Sequence, residues 1–356
     1  MDMEYLTSYQ DHGIVLRPDR PGEPFYAIDG GGVREAILNK VEDTYYLFYD
    51  GARPGAAPDS YWTACLAKSR DLLRWEKLGQ ALEAGVVENP RSQSLDTKTA
   101  SSPWVFYAGG KWYMYYVGAD HCSPEGVPAC PYYTLLATAE QITGPWHKAN
   151  REPGKEKHVC FMTRPDSWMD FTASPGHVME NPHWKGPGDA ENDRYLMFFS
   201  GACRPPMARS LGIASTNDLS CTDDCDSPRP NHWRLREEPI LSPKIDIENS
   251  SIYYEEENGT YFLFTNHIKD NRYTDAVYVY CSKDPCRWDA ECCKILVDAS
   301  VSTWAHGAIG LATVTKADAH TLAVVYDGVE GDGQGHLDRK IGYGTLPLPL
   351  APFCEE

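Results

Sequence analysis

The chain has 356 residues, a formal net charge of -18 at pH 7 and a pI near 5.0. This acidity argues against nucleic acid or an anionic membrane as a partner, because both bind through clustered Lys and Arg. No apolar run reaches the roughly 20 residues that a membrane-spanning helix needs.

Twelve cysteines are many for a chain kept in a reducing compartment. Cys122 and Cys130 bracket a Pro/Gly loop, and Cys221 and Cys225 bracket a Thr-Asp-Asp turn, so we expect both pairs to be disulfides. Zinc is the weaker interpretation, because no C-x2-C pair occurs. The disulfides favour a secreted or periplasmic protein, with a cytoplasmic one as the alternative. No charged-then-apolar leader follows Met1, so an exported chain would have lost its signal peptide.

The first predicted element, around residues 13–18, has no hairpin partner nearby. The final repeat ends with a strand around 339–346 and lacks a fourth strand. We therefore expect the N-terminal strand to complete the last unit and to remove an open sheet edge.

The next elements repeat. Residues 32–38 precede a hairpin arm at 44–52, and residues 101–106 precede an arm at 111–119. Ala36 and Pro103 each stand nine residues before the first aromatic residue of their arm. Asp29 precedes Glu35 by six positions, as Asp96 precedes Ser102. The two segments therefore share one register.

Three further copies follow. They comprise residues 179–184 with 195–202, where the hairpin loop has four extra residues, residues 247–253 with 261–265, and residues 304–310 with 321–328. A strand-built repeat of about 60 to 85 residues predicts a propeller. We expect an all-β fold, a five-bladed β-propeller with four antiparallel strands per blade. Its ring is closed by the N-terminal strand, and residues 1–356 form a single catalytic domain.

Acidic residues recur at the predicted starts of the innermost strands, which converge on the axis of a propeller. These residues are Glu35, Glu180 and Glu248. One or two such acids could simply cap strands or bind an axial water or ion. Three like charges focused on one axis cost stability by repulsion, which favours a catalytic use.

These motifs resemble the five-bladed propeller glycosidases, the clan of glycoside hydrolase families 43 and 32 with relatives in families 62, 117 and 130. Glu35-Ala36 occupies the slot of the family 43 catalytic Asp before Pro, and Glu248 that of its general acid. Glu180-Asn181-Pro182 is similar to the Glu-Cys-Pro acid motif of family 32. Lys111-Trp112-Tyr113-Met114 resembles that family's second-blade arm.

The chain also departs from these families. Glu replaces Asp at position 35, Asn181 stands where family 43 has an Asp, and Ser101-Ser102-Pro103 stands for the family 32 Arg-Asp-Pro. Asp29 and Asp96 could supply the shorter Asp carboxylate to the central funnel, the opening at the axis of the propeller. His306 matches a blade-five histidine of family 43, which allows an axial Ca²⁺ or Na⁺ nearby, with a purely structural histidine as the alternative.

The resemblance implies hydrolysis of glycosidic bonds in plant, algal or microbial oligo- or polysaccharides, with no required cofactor. We assign Glu180 as the acid because it keeps the Pro, Glu248 as the alternative acid or pKa modulator, and Glu35 as base or nucleophile. The expected substrate contacts are Asp29, Arg34, Asp96, His183, Trp184 and His306. We expect a monomer or a weak homo-oligomer.

Two other functions remain open. A family 130-like glycoside phosphorylase would need two or three cationic groups facing the base, for which the candidates are Arg34, Arg53, Arg204 and His306. A non-catalytic carbohydrate-binding propeller would bind glycans without turnover. A sialidase-like fold is disfavoured, because the Ser-x-Asp turns lack the Asp-box Gly and the repeats number five. The sequence does not specify the sugar.

Overall fold

The computed structural model describes residues 4–55, 62–84, 95–119, 133–149, 160, 163–204, 208–221, 233–241, 246–268 and 275–354. In these residues the chain is nearly all strand, with one short helix, α1 (Tyr26–Asp29), and a single 3-10 turn (His336–Asp338). Neither of these two segments is long or apolar enough to cross a membrane. The predicted all-β class is confirmed.

The strands pair as successive antiparallel units. Unit one contains β2 (Gly32–Val41), β3 (Thr44–Ala52), β4 (Trp62–Ser69) and β5 (Glu76–Leu82). Unit two contains β6 (Thr99–Ala108), β7 (Lys111–Ala119), β8 (Tyr133–Ala139) and β9 (His147–Lys148). One parallel bridge, between Trp62 and Thr99, joins these two units.

The innermost strand of unit three is divided into two pieces that pair with the same neighbour. This unit contains β10 (Thr172–Ser174), β11 (Val178–Glu180), β12 (Tyr195–Ala202), β13 (Arg209–Thr216) and β14 (Arg234–Leu235). Unit four contains β15 (Ile247–Glu255), β16 (Thr260–His267), β17 (Ala276–Ser282) and β18 (Cys293–Asp298).

Unit five is built from both ends of the chain. It contains β19 (Ala305–Asp318), β20 (Thr321–Glu330), β21 (Arg339–Pro347) and, as its outer strand, β1 (Gln10–Leu16). The N-terminal strand thus pairs with the last strand of the chain, as expected from its missing hairpin partner. Just before β1, Tyr5 forms a parallel bridge with Ile295 of unit four.

The apolar core lies between units, because each sheet buries both faces against its neighbours. Five hydrophobic clusters join unit one to two, two to three, three to four, four to five, and five back to one. In the last of these, Leu38 and Leu47 of unit one pack with Ala323 and Val325 of unit five. The packing order is therefore cyclic, and the fold is propeller-like.

Deleting residues 1–20 should lower the free energy of unfolding by several kcal/mol, because a whole strand loses its ladder with β21 and its burial. Denaturant unfolding of the folded variant measures this loss. Arg17→Gln is the control, since it removes only an exposed ion pair with Glu330 and should change little. An unchanged midpoint in the deletion variant would contradict the prediction.

Candidate active site

Equivalent β-bulges interrupt the innermost strands of units one, two and four. The ladder skips residues at Glu35, Ser102 and Asn249, and these residues have positive φ angles of 49°, 49° and 63°. A bulge bends a strand and redirects its side chain, and positive φ in residues other than glycine is concentrated at functional sites. The three bulges therefore mark a common level at which units one, two and four present residues.

Glu35 connects three units at this level. The Ser102 hydroxyl of unit two donates a hydrogen bond to Glu35 Oε2. The Glu35 backbone N–H donates to Asp327 Oδ2 of unit five at 3.2 Å, and the Arg34 guanidinium lies 3.7 Å from Glu35 Oε1. The Glu35 side chain is 19% exposed, so a small molecule can reach a carboxylate that its neighbours hold in place.

Two fully buried aspartates lie behind Glu35, at matching positions of the hairpin arms. Asp50 accepts the Ser102 N–H at 2.7 Å, and its Oδ2 lies 3.3 Å from Arg34 Nε. Burial, together with the nearby charge of Glu35, raises the pKa of Asp50 well above its usual range. Asp327 accepts from Arg339 at 2.9 Å.

Gly310 is required beside this last pair. A Cβ at this position would overlap with Asp327 Oδ1 and with a guanidinium nitrogen of Arg339. A larger residue would therefore have to displace the ion pair of Asp327 and Arg339 from the β19 backbone.

His336, from the connection between β20 and β21, faces three arginines. Arg34 lies 3.2 Å from His336 Nδ1, and because arginine can only donate, Nδ1 accepts and the ring proton is on Nε2. Burial and the positive charges of Arg34, Arg339 and Arg209 lower the pKa of His336 to about 3. The imidazole is therefore neutral at ordinary pH and offers Nε2–H as a donor.

Arg209 brings unit four into the same group. Its Nε lies 3.0 Å from Glu248 Oε2, and its terminal nitrogen lies 3.2 Å from Asp246. Arg209 is also one of the charges that lower the pKa of His336, and Glu248 borders a bulge equivalent to the one at Glu35. We call this set the central cluster. Its members are Arg34, Glu35, Asp50, Arg209, Glu248, Asp327, His336 and Arg339.

The structure contradicts the predicted position of Glu180 at the start of an innermost strand. Glu180 ends β11 and pairs with Tyr195 next to the hairpin loop, whereas the start of the strand is Thr172, opposite Ala202. The Glu180 side chain is 62% exposed and is ion-paired at 2.8 Å with Arg194, which does not belong to the central cluster.

The error in register has a local cause. Ser174 pairs with Ser200 at the level of the other bulges, and the following Pro175-Gly176 interrupts the strand pattern. Gly176 is needed there because a Cβ would overlap with the Phe198 carbonyl oxygen. Asn181 instead organises the hairpin loop, donating to the Asp193 carbonyl at 2.8 Å.

Asp29 and Asp96 are buried inside their units, where they bind neighbouring side chains and are not exposed to substrate. Both are buried, and each accepts from a tyrosine hydroxyl of the adjacent arm at 2.9 Å, Tyr49 for Asp29 and Tyr116 for Asp96. Each also pairs with a lysine, at 2.6 Å for Asp29 and 2.5 Å for Asp96. The repeated spacing therefore reflects a repeated buried ion pair, and the expectation that these acids line the funnel is wrong.

Asp29→Asn should destabilise the protein by about 3 kcal/mol, because Lys77, whose side chain is only 11% exposed, would lose one of its two carboxylate partners. The kcat/KM of the folded variant should stay near that of the wild type. Lys68→Gln, which breaks only the exposed pair with Glu76, is the matched control. A large rise in KM without loss of stability would instead show contact with substrate.

Three other expected substrate contacts also lie apart from the central cluster. His183 Nε2 lies 2.9 Å from Asp284 Oδ1 of unit four, and the Trp184 ring lies 5.1 Å from the Arg194 guanidinium. His306 is exposed, and its Nδ1 lies 3.2 Å from the Ala299 carbonyl oxygen. Of the six residues expected to contact substrate, only Arg34 lies beside Glu35.

The axial Ca²⁺ or Na⁺ expected near His306 stays a prediction. In the described part of the chain, groups of three side chains able to ligate a metal comprise Cys281, Cys292 and Cys354, and His183, Asp284 and Cys286. Neither group contains His306. We therefore assign no step of the reaction to a cation there.

The predicted disulfides involve Cys122, Cys130 and Cys225, which lie outside the described residues, so both pairs stay predictions. The structure contains a different disulfide, between Cys292 and Cys354, which attaches the C-terminal tail to unit four.

Part of the chain is similar in sequence to a family of glycoside hydrolases. Residues 31–161 match the family model "Glycosyl hydrolases family 43". No curated protein matches the chain. The sequence-based resemblance to this clan is confirmed.

Solved structures agree in fold over nearly the full chain. The structure of a BT0996 RGII complex has 16% identity and a TM-score of 0.70, covering 99% of this chain and 94% of that one. Zg3597, a family 117 glycoside hydrolase from Zobellia galactanivorans, has 15% identity and a TM-score of 0.61, covering 98% and 94%. The α-L-arabinofuranosidase PaAbf62A from Podospora anserina has 12% identity and a TM-score of 0.57, covering 98% and 99%.

Proposed function

We propose that this protein is a glycoside hydrolase that cleaves plant, algal or microbial oligo- or polysaccharides in the central cluster. The observation that carries the proposal is the position of Glu35 and Glu248. They lie at or next to equivalent bulges of units one and four, and each lies beside an arginine, Arg34 for Glu35 and Arg209 for Glu248. Hydrolysis of a glycosidic bond needs two such carboxyl groups on opposite sides of the scissile bond.

Glu35 is the base or nucleophile. The hydrogen bond from Ser102 and the ion pair with Arg34 hold its carboxylate in place. An ionised carboxylate can deprotonate the attacking water or attack the anomeric carbon itself. The neutral His336 can donate its Nε2–H to a sugar hydroxyl nearby.

Glu248 is the general acid in this proposal, in place of Glu180. Its side chain is 29% exposed, whereas Asp50 and Asp327 are fully buried and therefore unable to touch a sugar. Arg209 shares its charge between Asp246 and Glu248, so Glu248 is not needed to neutralise it alone. Glu248 is therefore the second carboxyl group of the central cluster that a sugar can reach, as the role of general acid requires.

Phosphorolysis is less well supported than hydrolysis. Arg34, Arg209 and Arg339 are each already paired with carboxylates of the central cluster, and His336 is neutral. Arg53 and Arg204 pair with Glu83 and Asp170. These cations would have to leave carboxylate partners in order to hold a phosphate nucleophile.

The packing and pairing of the units also support an inference about architecture. We infer that they are the blades of one five-bladed domain, with β1 closing the ring, since the contacts between units form a cycle and β1 pairs with β21. The Cys292–Cys354 disulfide is in keeping with an exported protein.

The test is a screen of aryl glycosides and of plant and algal polysaccharides, each with and without inorganic phosphate. We expect release of reducing sugar at a rate that phosphate does not change. Formation of a sugar 1-phosphate would instead establish phosphorolysis, and saturable glycan binding without any turnover would show a binding protein.

A further inference from the structure

Three cysteines from separate parts of the chain meet beside the outer strands of unit four. Cys281 lies in β17, Cys292 in the turn before β18, and Cys354 in the C-terminal tail, and their sulfur atoms lie within 4.8 Å of one another. Cys292 and Cys354 form a disulfide. The Cys281 sulfur lies 2.6 Å from that of Cys354 and 3.7 Å from that of Cys292. A third sulfur is therefore within reach of the disulfide. We call these residues the thiol cluster.

We propose that the thiol cluster is a thiol–disulfide exchange site in which Cys354 alternates between Cys292 and Cys281. The Cys281 thiolate attacks the Cys354 sulfur and forms the Cys281–Cys354 bond. The Cys292–Cys354 bond breaks, and its electron pair leaves on Cys292 as a thiolate, which takes up the proton that Cys281 gave up. The exchange consumes no oxidant or reductant.

The Cys292–Cys354 disulfide and the Cys281–Cys354 disulfide would both hold the C-terminal tail on unit four. After β21 the chain crosses to unit four, where the Leu350 N–H donates to Glu255 at 3.0 Å and the Leu350 carbonyl accepts from Asn258 at 2.7 Å. The Cys354 sulfur lies 3.6 Å from the Cys281 carbonyl oxygen and 3.8 Å from the Cys292 carbonyl oxygen. The tail is thus placed for bonding to both partners, and exchange moves the free thiol without releasing the tail from unit four.

The surroundings of Cys281 set how exchange depends on pH. Burial raises the pKa of Cys281. The backbone N–H groups of Phe353 and Cys354 and the charges of Lys283 and Lys294 oppose this rise. The thiolate is the attacking species, so the exchange rate should rise by about tenfold per pH unit while Cys281 is mainly protonated. A cavity of about 570 Å³ is lined by all three cysteines, which gives small reagents access to the released thiol.

Peptide mapping by mass spectrometry of the oxidised full-length chain, without reduction, tests the proposal. Cys292→Ser should retain the tail through a Cys281–Cys354 disulfide, and Cys281→Ser through Cys292–Cys354. Cys354→Ser should lose every disulfide from this region to the tail. Cys286→Ser, in the same turn region but outside the cluster, is the control and should leave the wild-type map unchanged.

The wild-type chain supplies a second readout that does not depend on the folding of a variant. Iodoacetamide added after incubation at increasing pH should label both Cys281 and Cys292, with labelling of Cys292 appearing faster at higher pH. Labelling of Cys281 alone at every pH would overturn the proposal, as would a free Cys354 thiol in Cys292→Ser.

Discussion

Replacing Glu35 by Gln is expected to reduce hydrolysis by roughly four orders of magnitude or more, for natural and activated substrates alike. The change keeps the side-chain volume and the Ser102 contact but removes the charge that activates water or attacks the anomeric carbon. A better leaving group does not replace this function. The measurement is kcat/KM on a polysaccharide and on an aryl glycoside, with azide or formate added to restore an external nucleophile.

Ser102→Ala is the matched control for this variant. It removes the hydrogen bond from unit two to Glu35 but leaves the carboxylate in place, so the expected loss is only about 10- to 100-fold. Equal losses in the two variants would indicate disruption of the bulge rather than of the chemistry. Full activity of Glu35→Gln would remove Glu35 from the mechanism.

The sequence predicts most of the fold because, in each repeat, the strands that pair follow one another closely along the chain. In units one and two, the distance from the bulge to the hairpin arm is fixed by one tight hairpin, so the same nine-residue spacing appears at Ala36 and Pro103. Unit three has a longer hairpin loop, between Glu180 and Tyr195, and this spacing therefore failed there. The placement of the N-terminal strand was accessible because the last unit lacked one strand.

The central cluster was only partly accessible from sequence. Asp50 and Asp327 did leave a signal, a Tyr-Asp-Gly triplet at the same place in two arms, but burial and charge could not be read from it. Arg339 starts β21, and His336 precedes it outside the repeated segments. Their positions in the central cluster depend on the path of the connection between β20 and β21. The spacing of the repeats does not predict this path. Repetition alone does not identify a site residue. Asp29 and Asp96 recur because each accepts a hydrogen bond from a tyrosine and pairs with a lysine inside its unit.

Replacing Glu248 by Gln is the second prediction with a large effect, and it separates the two candidate acids. The variant keeps its place beside Arg209 but has no transferable proton. Hydrolysis of substrates with poor leaving groups should therefore fall by about two to four orders of magnitude. Aryl glycosides with an activated leaving group need little protonation and should lose much less, which the ratio of the two kcat/KM values measures.

Glu180→Gln is the matched control, with the same chemical change in a residue that is exposed and paired with Arg194 at the hairpin end of β11. It should hydrolyse both substrate types at nearly the wild-type rate, because an exposed ion pair contributes little to stability and this carboxylate is not positioned by the central cluster. If Glu180→Gln instead lost activity on poor leaving groups while Glu248→Gln kept it, the general acid would be Glu180. The catalytic funnel would then have to open on the side of the ring where β11 ends.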